Sequence, residues 1–292
     1  MANWTRRRLW KNLVGLALFS AAGYLLLRWL EQHTVFQPSS HLDTTGRELG
    51  RPFEEAWLTT GDGVRLHSWF YPAAAGSPRG HFVFLICHGN GGNISHRLGL
   101  VRVLLETGAG VLVFDYRGYG RSSGRPSEAG TYRDAEAAHA WLRRRGFAGT
   151  NILAYGESLG GAIATELAVR QPLGGLVLQS TFTSSTDMGR EIFPWLPVGA
   201  LARYRFDTLG KLPQVRVPVL VLHGRADTII PFRHGERLFG AASEPKRFVA
   251  LAGDHNDQPE ADPAAFRVGL EQFLALIEQR PPQHLAPQRE LR

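Results

Sequence analysis

With 292 residues, 43% of them hydrophobic and 20% charged, the chain has the size and balance of one α/β domain of about 250 residues plus a small extra segment. The net charge of +7 and pI of about 10.0 come from arginines, because Lys11, Lys211 and Lys246 are the only lysines. These cations are scattered, apart from Arg6-Arg7-Arg8 and Arg143-Arg144-Arg145, and no basic stripe is interleaved with aromatics, which argues against a nucleic-acid partner.

The first cations, Arg6, Arg7, Arg8 and Lys11, precede an uncharged run from Asn12 to Leu27 that is closed by Arg28-Trp29-Leu30. Taken from Leu9 to Leu30 the segment is about 22 residues, roughly 33 Å as a helix, enough to span a bilayer. Lys11 and Arg28 stand where their heads can snorkel, and Trp10 and Trp29 suit the two interfaces. A cleaved signal peptide is the rival reading, with Ser20-Ala21-Ala22-Gly23 as weak cleavage chemistry, but it would leave apolar residues 24–27 at the head of the mature chain. The expectation is an uncleaved, single-pass signal anchor over residues 1–30. Four cations before the span, against Arg28 behind it, place the N-terminus in the cytoplasm and the rest of the chain outside, in the periplasm if the source is bacterial.

Residues 31–52 read as a polar linker with a short anchor around Phe36-Gln37-Pro38, and 53–280 as the globular domain. Runs 53–59 and 64–71 alternate in hydropathy on either side of Gly61-Asp62-Gly63, the signal of a hairpin. Beyond it, apolar runs at 82–87, 111–114, 152–155, 176–178, 219–222 and 248–251 are interleaved with helical stretches at 94–107, 127–145, 159–170, 232–242 and 263–279. That alternation predicts a mostly parallel sheet with helices on both faces and functional groups beyond the C-terminal strand ends. Cys87, the single cysteine, forms no intrachain disulfide and reads as a buried small hydrophobe within its run. Arg143 to Arg145 read as the solvated end of a helix.

The strand ends carry the chemistry. Ile152-Leu153-Ala154-Tyr155 breaks into Gly156-Glu157-Ser158-Leu159-Gly160 and then an Ala-rich helical stretch, a strand, turn and helix with a serine at the apex of a G-x-S-x-G. Small residues are needed there because the serine must sit on a tight turn that lifts its hydroxyl clear of the sheet, while the following helix aims N–H groups at an oxyanion. The run at 82–87 ends in His88-Gly89-Asn90-Gly91-Gly92-Asn93, whose glycines let backbone N–H groups turn toward a ligand as a second oxyanion donor. After the run at 111–114, Asp115 and Arg117 read as a structural ion pair that holds the loop. The run at 219–222 ends in His223-Gly224-Arg225-Ala226-Asp227, and that at 248–251 in Ala252-Gly253-Asp254-His255-Asn256-Asp257. In this order Ser158 attacks, His255 takes and returns its proton, and Asp227 orients His255. His234 is the second candidate for the base, while His88 and His223 read as backbone hydrogen-bonders. No metal-ligand spacing such as H-E-x-x-H occurs, and neither a metal nor an organic cofactor is implied.

Together HGNGGN, DYRGYGRSSG, GESLGG, HGRADTIIP and GDHND resemble the α/β-hydrolase superfamily over roughly residues 54–279. Within it the chain is similar to membrane-anchored serine hydrolases that have protein-depalmitoylating and serine aminopeptidase-like relatives. The resemblance implies an α/β-hydrolase fold, oxyanion N–H groups at Leu159 and Asn90, and a small cap insertion at about 181–215. In that insertion Phe182, Met188, Phe193, Trp195 and Tyr204 either line an acyl pocket beside Ser158 or pack the cap onto the domain. Residues 281–292 are rich in Pro and Gln and read as a disordered tail. The expected activity is hydrolysis of carboxylic esters or thioesters, small-molecule or lipid-like, through an acyl-serine. The alternatives are a peptidase, with Glu157 as the contact for a substrate amine, and an inactive binding protein on the same fold.

Overall fold

The computed structural model describes residues 2–279, so the tail expected at 281–292 lies outside the described residues. The chain opens with α1 (Ala2–Val35), in which Trp10–Val35 is long and apolar enough to cross a membrane and is not buried by the rest of the molecule. The helix runs on past Leu30, so the first residues expected as linker are its last turn. Phe36 follows it into the core, and β1 (Gln37–Pro38) lies beyond.

The predicted hairpin is β2 (Glu54–Thr59) and β3 (Arg65–Tyr71). Its turn is closed by the Gly63 N–H donating to the Thr60 carbonyl, with Gly63 at a φ of 81° that suits glycine. The alternating part of the chain gives β4 (Val83–Cys87), β5 (Gly91–Gly92), α2 (Leu98–Glu106), β6 (Gly110–Phe114), α3 (Glu128–Arg144), β7 (Ile152–Glu157), α4 (Leu159–Arg170) and β8 (Gly175–Gln179). The insertion holds α5 (Ser185–Ile192), α6 (Val198–Leu201) and α7 (Thr208–Lys211). The chain then completes β9 (Val219–Gly224), α8 (Arg233–Ala241), β10 (Lys246–Leu251), α9 (Gln258–Ala261) and α10 (Pro263–Glu278).

Eight strands make one sheet in the order β2-β3-β6-β4-β7-β8-β9-β10. The β2–β3 and β3–β6 pairs are antiparallel and every other pair in it is parallel. Strands β4, β6 and β8 are buried along their whole length, which is why they are written as unbroken apolar runs and not as an alternating pattern. Neighbouring side chains fall on opposite faces. Leu85, Leu112, Ala154 and Leu176 pack with Ala135 and Leu142 of α3, Ile163 of α4 and Leu238 of α8. Phe84, Val111, Leu153 and Val177 pack with Leu104 of α2 and Phe266, Leu270 and Phe273 of α10. The sheet is therefore the layer between two helical shells, and its C-terminal edge is left free for loops.

A second, two-stranded sheet joins β1 to β5 in parallel, pairing Gln37 with Gly91 and Pro38 with Gly92. Around it the Gln37 N–H donates to the Asn90 carbonyl at 3.1 Å, the Ser39 N–H to the Gly92 carbonyl at 3.1 Å, and the Gly120 N–H to the Ser39 carbonyl at 2.9 Å. Phe36 anchors this strap, its ring edge-on to Tyr204 at 5.2 Å and Phe206 at 6.0 Å. Removing the ring by Phe36→Ala is expected to cost about 3 kcal/mol, as for other buried phenylalanines. Thermal unfolding of the full chain in detergent checks this, and an unchanged midpoint would show that the strap adds nothing to the fold.

Candidate active site

The site is built where β7 gives way to α4. Ser158 sits between them at φ 52° and ψ −116°, a left-handed backbone that a residue with a side chain rarely holds. Three neighbours hold it. The Ser158 N–H donates to the Gln179 carbonyl at 2.9 Å, and its own carbonyl accepts from the Gly161 N–H and from the Thr181 hydroxyl, each at 3.0 Å. The turn closes this tightly because a Cβ on Gly156 would land on Gly161, and one on Gly160 would land inside the Cys87 carbonyl. Leu159 is the first residue of α4, so its N–H has no intrahelical partner and points outward from the helix start.

Two further loops bring their side chains to this turn. His255 Nε2 lies 3.1 Å from Ser158 Oγ, and His255 Nδ1 lies 2.8 Å from Asp227 Oδ2. All three residues are buried. The second oxygen of Asp227 accepts the N–H groups of Ile229 at 3.0 Å and Ile230 at 2.7 Å, so the carboxylate is pinned at both ends. With Asp227 accepting, the Nδ1 of His255 carries the proton and Nε2 presents its lone pair to the serine hydroxyl. Asp254, next to His255 in the chain, ties the two loops together. It accepts the His255 N–H at 2.7 Å and the Thr228 N–H at 2.7 Å. Nothing in the sequence marked it beyond its place beside His255.

Asn90 stands on the glycine loop with its carbonyl held by the Gln37 N–H and by the Tyr119 hydroxyl at 2.8 Å. His88, just before it, keeps its Nδ1 on the Gly89 carbonyl at 2.7 Å, and His223 keeps its Nε2 on the Ile230 carbonyl at 2.8 Å. His234, the second candidate base, is engaged elsewhere: Nδ1 accepts from Thr183 and Nε2 faces Glu191 at 3.1 Å. Glu157, beside the serine, faces Arg97 at 3.2 Å, and Arg97 also donates to the Gly91 carbonyl.

One expectation changes. Arg117 is not paired with Asp115; it spans Asp62 of the hairpin turn and Asp134 of α3, at 2.9 Å to each. Asp115 instead accepts the Ile94 N–H at 2.9 Å beneath the glycine loop, facing His67 and His88. Chain neighbours on a loop can point to opposite sides, and here the acid turns inward while the cation turns to the rim. Cys87 is fully buried, with its thiol pushed up by desolvation. Among the described residues no three His, Cys, Asp or Glu side chains are grouped to hold a metal.

The cap aromatics divide into two sets. Phe182 and Tyr204 are buried and Met188 packs against the core, whereas Phe193 and Trp195 are exposed.

Residues 83–207 match the alpha/beta hydrolase fold family. An uncharacterized protein of Mycobacterium tuberculosis is 38% identical over 265 residues, covering 90% of this chain and 94% of its own. The alpha/beta hydrolase domain-containing protein WAV2 of Arabidopsis thaliana is 33% identical, over 76% of this chain and 79% of its own. Among solved structures, an esterase of Pyrococcus furiosus superposes with a TM-score of 0.67 at 20% identity, covering 83% of this chain and 97% of that one. The chain belongs to the α/β-hydrolase family.

The buried imidazoles give the stability of the fold a pH signature. Burial holds His88 down to about 3, and desolvation likewise lowers His139, His223 and His234 below the usual imidazole value. From about pH 6.5 downward an unfolded chain binds more protons at these four residues than the folded chain does, so their contribution is full above pH 6.5 and lost on acidification. Each contributes up to about 1.4 kcal/mol per pH unit. Asp115 and Asp134, raised by their own burial, act in the opposite sense and offset part of this. The melting temperature is expected to fall as pH is lowered from 7 to 5, and a flat or rising profile by calorimetry would contradict this account.

Proposed function

We propose that this protein is a membrane-anchored serine hydrolase that cleaves carboxylic esters or thioesters through an acyl-serine intermediate. The observation that carries the reading is the continuous chain from Asp227 through His255 to Ser158 Oγ, at 2.8 and 3.1 Å, ending on a strained turn at the C-terminal edge of the sheet. Ser158 Oγ attacks the acyl carbonyl as His255 Nε2 takes its proton, and Asp227 stabilises the imidazolium. The tetrahedral oxyanion is received by the N–H groups of Leu159 and Asn90. Collapse expels the alcohol or thiol with the proton from His255, and a water then releases the acid by the same steps in reverse order. The esterase activity named for the Pyrococcus furiosus structure agrees with this reading.

A peptidase that recognises a substrate amine needs a free carboxylate beside the nucleophile. Glu157 is the nearest one, and its charge is already opposed by Arg97, which favours a neutral acyl group. The retained geometry at every position also weighs against an inactive binding protein. For α1, the apolar span with cations before it supports a signal anchor with the N-terminus cytoplasmic and the hydrolase domain on the far side. The domain is taken as 53–280 with its cap at about 181–215, behind the anchor at 1–30 and the linker at 31–52.

Turnover of p-nitrophenyl esters from acetyl to palmitoyl, by the full chain in detergent, tests the chemistry. Ser158→Ala is expected to lower the rate at least about 10³-fold while leaving the melting temperature in place. A fluorophosphonate should label the wild type at Ser158 and not this variant. Retained activity in Ser158→Ala, or a folded wild type that neither turns over any ester nor labels, would overturn the assignment.

A further inference from the structure

The helices α5 and α6 bury none of their residues, and the chain between and beside them turns apolar side chains to solvent. Ile192 is 56% exposed, Phe193 41%, Trp195 75% and Leu201 39%, with Phe193 and Trp195 packed edge to face at 6.3 Å. Single exposed hydrophobes are ordinary, but a contiguous aromatic patch on one tip calls for a partner.

The patch is joined to α1. The Arg28 guanidinium donates to the Leu201 carbonyl and pairs with Glu31 at 2.9 Å. Glu31 accepts the N–H groups of Arg203 at 2.6 Å and Tyr204 at 2.9 Å, and the Tyr204 hydroxyl donates to Gln32. These contacts fall where the apolar run of α1 ends and its polar residues begin, which is where a spanning helix leaves the hydrocarbon. The cap tip is thus fastened at the depth of the bilayer boundary, the level that Trp and Phe side chains prefer. Thr34 lies six residues beyond Arg28, about 9 Å along the helix. Its carbonyl faces the Asn90 side-chain amide at 3.5 Å. A headgroup layer is about 5–8 Å thick, so the glycine loop sits at or just above it.

We propose that the cap tip, Ile192, Phe193, Trp195 and Leu201, is a second membrane contact that seats the mouth over Ser158 on the bilayer, and that the substrate is an ester lipid drawn from that bilayer. This rests on α1 being a membrane anchor and Ser158 the nucleophile. The partner surface is the bilayer rather than a second copy of the chain because the segment that carries the patch is fastened, through the Leu201 carbonyl and the Arg203 and Tyr204 N–H groups, to the point where the exposed apolar run of α1 ends. Ile229, 53% exposed and next to Asp227 in the site, gives the rim the same apolar character.

The test uses the full chain in phosphatidylcholine proteoliposomes, with a spin label on Trp195→Cys, on Leu16→Cys within the span, and on Trp57→Cys of β2 as an aqueous reference. The native Cys87 is buried and stays unlabelled. The label at 195 is expected to be accessible to oxygen and shielded from a water-soluble nickel complex, as at 16 and unlike 57. In parallel, the double variant Phe193→Asp, Trp195→Asp is expected to lose at least tenfold in hydrolysis of a diacylglycerol held in the vesicles, with p-nitrophenyl acetate turnover unchanged within twofold. An aqueous label at 195 with 16 in lipid, spin–spin broadening between 195 labels of two copies, or equal rates on the vesicle substrate would each overturn the proposal. A label at 16 in water would instead refute the anchor, and a wild type inactive on both substrates would refute the hydrolase.

Discussion

The backbone of Ser158 is the constraint on which the centre of the molecule depends. A residue held at φ 52° costs of the order of 1–3 kcal/mol, and the cost is offset only if the surroundings leave it no easier conformation. Here β8 receives its N–H and Thr181 and α4 take its carbonyl, while α4 is drawn against β4 so closely that Gly160 rests on the Cys87 carbonyl. That approach requires glycine at 156 and 160, where any side chain would overlap backbone atoms. The strain aims Oγ away from the sheet toward the loops after β9 and β10. A relaxed turn would leave His255 and Asp227 in place with nothing to act on.

The loops themselves are braced by groups outside the chain of contacts from Asp227 through His255 to Ser158. Asp254 binds the loop after β9 to the loop after β10 through Thr228 and the His255 N–H, so Asp227 and His255 are held together. On the other side, the strap after α1 and the Tyr119 hydroxyl share the Asn90 carbonyl. The N–H groups proposed to receive an oxyanion thus belong to two differently supported pieces, one a helix start and the other a glycine loop pinned by the strap that follows α1. Preorganised donors of this sort need no rearrangement when charge develops.

Much of this was legible in the sequence, and what was not has a physical reason. Buried parallel strands announce themselves as unbroken apolar runs, so the large sheet and its covering helices were readable to within a few residues. The α/β-hydrolase fold followed from that alternation and from the motifs at the strand ends. The β1–β5 pair was not readable, because two strands of two residues carry no periodicity and their pairing is decided by where Phe36 buries itself. The partner of Arg117 was misjudged for a related reason. Its carboxylates come from residues 62 and 134, and only the folded chain brings them together. For the cap, composition showed aromatics but not which way each faced, since its short helices bury too little to fix a pattern.

The joint between α1 and the cap decides whether the N-terminal helix is a tether or a mount. A flexible tether would make few specific contacts, whereas Glu31 alone meets two backbone N–H groups and the Arg28 guanidinium. A largely buried carboxylate is tolerable only when it is paired and hydrogen-bonded, and this one is both. Phe36 then buries its ring among Tyr204 and Phe206, fixing the rotation of the helix end as well as its position. Polar contacts fix where the helix end sits, the buried ring sets its orientation, and the strap carries both to the glycine loop. The helix and the loop are therefore one mechanical unit, so the placing of the helix end and the placing of Asn90 beside Ser158 are set together.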